Sequence, residues 1–123
     1  MNELATKLLL LEEDLYSKIA VIGDKKIYEY LRNNLDKEWI DIDFIEDFKD
    51  YTRNKRVYHR VINSLEDVDY TKIYNSIHHQ GWLIITPNIY NYDLLQKLED
   101  VDFVAINETD KHITAKRMHG WGK

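Results

Sequence analysis

Gly81-Trp82-Leu83-Ile84-Ile85-Thr86-Pro87-Asn88 is the stretch whose reading decides the fold. Trp82 to Thr86 are all bulky or β-branched, with a glycine before them and Pro87-Asn88 after. A strand wetted on one face would alternate apolar with polar residues, so this unbroken run predicts a strand buried on both faces. Pro87 has no N–H to donate, and the ladder is expected to stop there. Helical patterns flank the run on both sides. That predicts an α/β domain of three layers, a mostly parallel sheet between helices.

Working back from that run, Tyr70, Ile73, Tyr74 and Ile77 form a helical stripe, and Asn63-Ser64 with Asp67 reads as its capping end. His78-His79-Gln80-Gly81 is expected to close this helix, glycine being the residue that leaves a helix most easily. Residues 56–62 predict a parallel strand, with Val57, His59 and Val61 on one face and Tyr58, Arg60 and Ile62 on the other. Residues 48–56 are polar and basic and read as a connection with room for a helical turn. Residues 39–45 set Ile40, Ile42 and Phe44 against Asp41 and Asp43, which predicts a strand with one wetter face, or one near the sheet edge. Glu46-Asp47 close it.

Further back, Ile27, Leu31 and Leu35 predict a helix over residues 25–34 with Asp24 as its cap. Residues 18–22 (Lys-Ile-Ala-Val-Ile) predict a second buried strand, ended by Gly23-Asp24. Within residues 1–16, residues 3–16 predict an amphipathic helix with Asn2 placed to cap it and Leu4, Leu8, Leu11 and Leu15 on one face. It is expected to pack on its own sheet, and its extra leucines leave room for a protein partner or a homo-oligomer contact.

Forward of the central run, Asn88 is placed to cap a helix reaching Leu98, with Leu94, Leu95 and Leu98 inward. Residues 102–106 and 112–116 then predict an antiparallel hairpin around a polar turn. Residues 118–123 have no pattern and are expected to be a flexible tail.

The 123 residues are expected to form one domain, 1–123, with 44% hydrophobic and 32% charged residues excluding a disordered chain. A net charge of −5 argues against nucleic acid and anionic lipid as partners, although residues 111–117 form a local basic patch beside Trp121. There is no cysteine, so disulfides, thiolate metal sites and cysteine nucleophiles are excluded. The Leu8–Leu11 run is too short to span a bilayer and is followed by acids, so a cytoplasmic protein without a membrane segment is expected.

Ligands in open α/β sheets bind beyond the carboxyl ends of the strands. By that rule Gly23, Asp24, Glu46, Asp47, Asn63, Ser64 and Asn88 would ring a pocket. No Ser-His-Asp arrangement, phosphate-cradling glycine loop or zinc spacing is present, and no metal is expected. His78 and His79, adjacent on a helix, would point apart and suit one metal poorly. His59 would serve as a base only at the carboxyl end of its strand; a hydrogen-bonded, half-buried histidine is the commoner case. Asp41 and Asp43 face the same way, and a solvated acidic face is expected of them.

The wording at residues 63–88 is more specific. Asn-Ser-Leu-Glu-Asp-Val-Asp, a helix, then Ile-His-His-Gln-Gly-Trp-Leu-Ile-Ile-Thr-Pro-Asn resembles the second half of class I S-adenosylmethionine-dependent methyltransferases. The closing helix and hairpin are similar to that family and to the spermidine synthases. The resemblance implies a Rossmann-like fold, S-adenosylmethionine or another adenosine-type ligand at Gly23-Asp24, and the ribose acid at Glu46 or Asp47. It implies too that the chain, if a catalyst, is an S-adenosylmethionine-dependent transferase. Two departures stand out. The glycine-rich turn of the family is here Gly23-Asp24-Lys25-Lys26, which implies weak or absent cofactor affinity. Its third strand and preceding helix have no counterpart, because residues 48–55 cannot supply both. Two functions follow as expectations: a ligand-binding methyltransferase-like domain, or a non-catalytic interaction module on the same fold.

Overall fold

The computed structural model describes residues 17–34, 40–51, 57–86, 92–109 and 112–118. The helix expected at residues 3–16, Trp39, Pro87, Asn88, Lys111 and the tail from residue 119, including Trp121, lie outside them.

The described elements are β1 (Ser17–Ile22), α1 (Lys25–Asn34), β2 (Ile40–Ile45), a 3-10 turn (Phe48–Asp50), β3 (Tyr58–Asn63), α2 (Tyr70–Ser76), β4 (Ile77–Ile85), α3 (Tyr92–Asp100), β5 (Val104–Glu108) and β6 (Ile113–Lys116). The strands make one six-stranded sheet in the order β2-β1-β3-β4-β6-β5. β2, β1, β3 and β4 run parallel, and β6 is antiparallel to both β4 and β5. Trp82 to Ile85 therefore stand inside the sheet, flanked by β3 and β6. β2 is an edge of the described sheet, one of the two placements its alternation allows.

Each face of the sheet has its own apolar layer. Ile19, Val21, Ile62 and Ile84 pack with Ile27 and Leu31 of α1. Ala20, Ile22, Val61, Leu83 and Ile85 pack with Ile73 of α2 and with Leu94 and Leu98 of α3. Burying each such Ile or Leu contributes roughly 1.5–3 kcal/mol, so these two layers dominate the fold's stability. The α1 bounds match the sequence expectation, and Asp24 Oδ1 accepts the Lys26 N–H at 2.9 Å as its cap.

Three local expectations are corrected. α2 starts at Tyr70 and not at Ser64, because the carboxylate that accepts its free N–H groups is Asp69, bonded to Thr71 and Lys72. β4 begins at Ile77, so His78, His79, Gln80 and Gly81 belong to a strand and not to a helix end. Gly81 serves close approach: a Cβ there would stand 2.8 Å from the His59 carbonyl oxygen and 2.9 Å from that of His78. The ladder shifts register at this place, pairing Tyr58 with Ile77 but Arg60 with Trp82. That shift overturns the simple alternation expected for β3, since Tyr58 joins Val61 in the α2–α3 layer.

The basic patch expected at residues 111–117 is in part drawn inward. His112 and Arg117 are buried. Arg117 Nη1 donates to the carbonyls of Tyr74 at 2.7 Å and Ile77 at 3.0 Å, bracing the α2–β4 junction.

Candidate functional site

The tips of the four parallel strands are tied edge to edge by backbone hydrogen bonds. Gly23 N–H donates to the Ile45 carbonyl at 2.8 Å, Ser64 N–H to Ile22 at 3.0 Å, and Thr86 N–H to Asn63 at 3.1 Å. These bonds bring Gly23, Glu46, Asn63 and Ser64 onto one rim, and Asp24 follows at the start of α1. Gly23 has φ 97°, a conformation that L side chains rarely adopt, so the residue type is dictated by the turn.

Each expected site residue has a distinct local role. Asp24 caps α1, while Lys25 and Lys26 place charge at the positive end of that helix, an unfavourable arrangement that the Asp24 carboxylate offsets. Asp47 caps the 3-10 turn through Lys49 N–H, and its carboxylate lies 3.7 Å from Lys49 Nζ. Glu46, exposed, makes no such contact. Asn63 is fully buried: its Nδ2 donates to the Leu65 carbonyl at 2.8 Å and to the Tyr70 hydroxyl at 3.3 Å, and its Oδ1 accepts the Leu65 N–H at 3.1 Å. Burial pushes the Tyr70 hydroxyl up to about 12, with the Asn63 bond acting in the opposite direction. The Ser64 hydroxyl oxygen is buried and has no hydrogen-bond partner among the described residues.

Sequence reasoning missed Leu65. The turn that Asn63 holds lays the Leu65 side chain directly on Gly23, with Cγ and Cδ2 each 2.8 Å from where a Cβ would stand. The only signal was one leucine in the polar loop Asn63-Ser64-Leu65-Glu66-Asp67.

The histidines are elsewhere. His59 is the second residue of β3, at the end opposite the rim, and its Nδ1 accepts the Lys18 N–H at 3.0 Å. Its ring stacks on that of His78, with centroids 4.5 Å apart. His112 Nδ1 lies 2.9 Å from the Thr86 hydroxyl, inside the sheet beside the β4 tip. Among the described residues no three His, Asp or Glu side chains group as a metal site, and no helix is long and apolar enough to cross a membrane.

A cavity of about 510 Å³ lies at the β2 edge, among Tyr28, Asp43, Phe44, Asp50, Tyr51 and Tyr58, and reaches the rim at Ile45. None of the expected site residues lines it.

The strand order extends outward from β1 as in doubly wound sheets, but with nothing described beyond β2. Solved methyltransferases share this arrangement. A CurJ carbon methyltransferase superposes on 97% of the chain with TM-score 0.68 at 12% identity. The chain carries a reduced class I methyltransferase-like Rossmann fold. An S-adenosylmethionine-dependent O-methyltransferase from Thermotoga maritima matches 99% of it with TM-score 0.66 at 11% identity, over 67% of that enzyme. Phosphoethanolamine N-methyltransferase 2 from Haemonchus contortus, solved with S-adenosyl-L-methionine, matches 99% with TM-score 0.61 at 11% identity. The methyltransferase-like chain spans 54% of the length of the carbon methyltransferase and 38% of the N-methyltransferase. No family model and no curated protein matches the sequence. At such identities the likeness establishes the fold alone.

Proposed function

We propose that this methyltransferase-like domain binds S-adenosylmethionine or a related adenosine-type ligand, weakly, at the rim built from Gly23, Asp24, Glu46, Asp47, Asn63 and Ser64. The observation that carries the reading is the Ser64 hydroxyl, buried without a partner among the described residues, beside a positive-φ glycine at the sheet's switch point. A buried hydroxyl left unbonded is costly, and a ligand's polar group would satisfy it. Of the two acids Glu46 is the better ribose partner, because the Asp47 carboxylate already caps the 3-10 turn. Leu65 must swing aside to admit a ligand, which lowers affinity. No residue is assigned a catalytic role.

Calorimetry with S-adenosylmethionine and S-adenosylhomocysteine tests this. Saturable heat, weakened by Glu46→Gln, is expected. No heat at high micromolar ligand, with a folded protein by circular dichroism, removes the reading.

A second reading has its own observation: Leu65 packed on Gly23 fills the space above the turn. On that reading the site has closed, and the domain is a non-catalytic module that binds a protein partner or itself. Self-association through residues 1–16 is tested by sedimentation before and after their removal, and an unchanged mass removes that route.

A further inference from the structure

The two edges of the sheet are built differently. β5 bulges: its register against β6 shifts between Val104 and Asn107, and Ala105 sits there at φ 53°. Bulges are a common way to stop an edge from templating another strand. β2 has no such break. Its pairing with β1 runs without a shift from Ser17↔Ile40 to Ile22↔Ile45, and its sequence Ile-Asp-Ile-Asp-Phe-Ile holds neither proline nor lysine. None of its residues is fully buried, whereas Ile19 to Ile22 of β1 all are.

Its backbone is oriented for pairing. Ile45 turns its carbonyl to β1, where Gly23 N–H takes it, so Asp41 and Asp43 face β1 too. Ile42 and Phe44 then turn N–H and C=O outward, and no described residue bonds these groups. The cavity among Tyr28, Phe44, Tyr51 and Tyr58 opens on this same edge, with the carboxylates of Asp43 and Asp50 in its lining.

We infer that the β2 edge is a receptor for an extended, cationic peptide segment of another protein, which adds as a strand beside Ile42 and Phe44. A lysine or arginine of that segment lays its aliphatic stem along Tyr51 and Tyr58, on the sheet face opposite Phe44, with its charge between Asp43 and Asp50. Charge selects this occupant over a second copy. Pairing two β2 edges would bring Asp41 and Asp43 of one chain against the same acids of the other, and opposed like charges destabilise a ladder. Lys18, 3.1 Å from Asp41 and 3.8 Å from Asp43, and Lys49, 3.7 Å from Asp47, offset only part of the charge on Asp41, Asp43, Glu46, Asp47 and Asp50, and the Tyr58 hydroxyl donates to Asp43 Oδ2 at 2.8 Å without neutralising it. The inference is independent of any ligand at the Gly23 rim.

The test uses a fluorescent peptide alternating Lys and Val, its Glu–Val counterpart, and the full chain. Anisotropy should show saturable binding of the Lys–Val peptide only. Phe44→Pro, which deletes an outward N–H, should weaken it about tenfold or more, and Asp50→Asn several-fold. Should Phe44→Pro misfold, amide exchange on the unaltered protein decides: the peptide should slow exchange at Ile42 and Phe44 and leave Gly23 unaffected. Equal binding of both peptides, no binding, or protection confined to other strands would overturn the inference. So would a dimer by sedimentation that the Lys–Val peptide fails to dissociate and whose exchange protection falls on Ile42 and Phe44.

Discussion

The side chain of Leu65 rests on Gly23 so closely that a Cβ on the glycine would stand 2.8 Å from both its Cγ and its Cδ2. Gly23→Ala therefore meets two obstacles, the backbone at φ 97° and the leucine above it. A loss of about 2 kcal/mol is expected in denaturant unfolding. Leu65→Ala in the same chain should recover the steric part, so the double-mutant cycle reports a coupling of about 1 kcal/mol. On the ligand-binding reading, Leu65→Ala alone should also tighten S-adenosylmethionine in the calorimeter.

Tyr70 gives the fold an alkaline limit. Its hydroxyl holds its proton up to about 12 in the folded state, against 10.0 ordinarily. Between those values the folded state binds more protons than the unfolded state, so stability falls as pH rises through that window and is intact below it. The loss is on the order of 2 kcal/mol. Urea midpoints followed from about pH 9 upward should drop less steeply in Tyr70→Phe than in the parent. Parallel slopes would show that burial of Tyr70 does not govern the limit.

Gly81→Ala should destabilise by about 2–3 kcal/mol. Its Cβ would meet Ile77 Cγ2 as well as two backbone oxygens, which cannot rotate away. Thermal unfolding checks this. A neutral result would mean that the β3–β4 register shift relaxes freely.

Ala105→Gly should act in the opposite direction. Alanine at φ 53° pays for a left-handed backbone that glycine adopts without strain, and a gain of about 0.5–1 kcal/mol is expected in urea.

Arg117→Met keeps the side chain's bulk but withdraws the donor from the Tyr74 and Ile77 carbonyls. A loss of about 2–3 kcal/mol in urea follows, together with faster amide exchange across the α2–β4 junction.

What could be read from the sequence was whatever depends on local pattern. The α1 helix and its Asp24 cap, the edge strand β2, the buried run Leu83–Ile85 (Trp82 being half-buried) and the terminal hairpin all follow from periodicity and punctuation. The strand tips at Gly23, Glu46 and Asn63 were placed by the same logic. The misreadings involve distant partners. Gly81 looks like a helix terminator until His59, more than twenty residues earlier in the chain, is seen against it. Ser64 looks like a cap until Asn63 is found holding the loop in another shape. Leu65 on Gly23 and the open β2 edge exist only once the sheet is assembled.

The position of β6 has a consequence for biosynthesis. The strand that pairs with β4 is made after the strand beyond it, so β4 emerges from the ribosome with one whole side of its ladder waiting for Ile113 to Lys116. Until those residues arrive, the nascent chain presents the apolar run Trp82–Ile85 to any chaperone or neighbouring polypeptide, and its vulnerable interval is set by translation speed between Ile85 and Lys116.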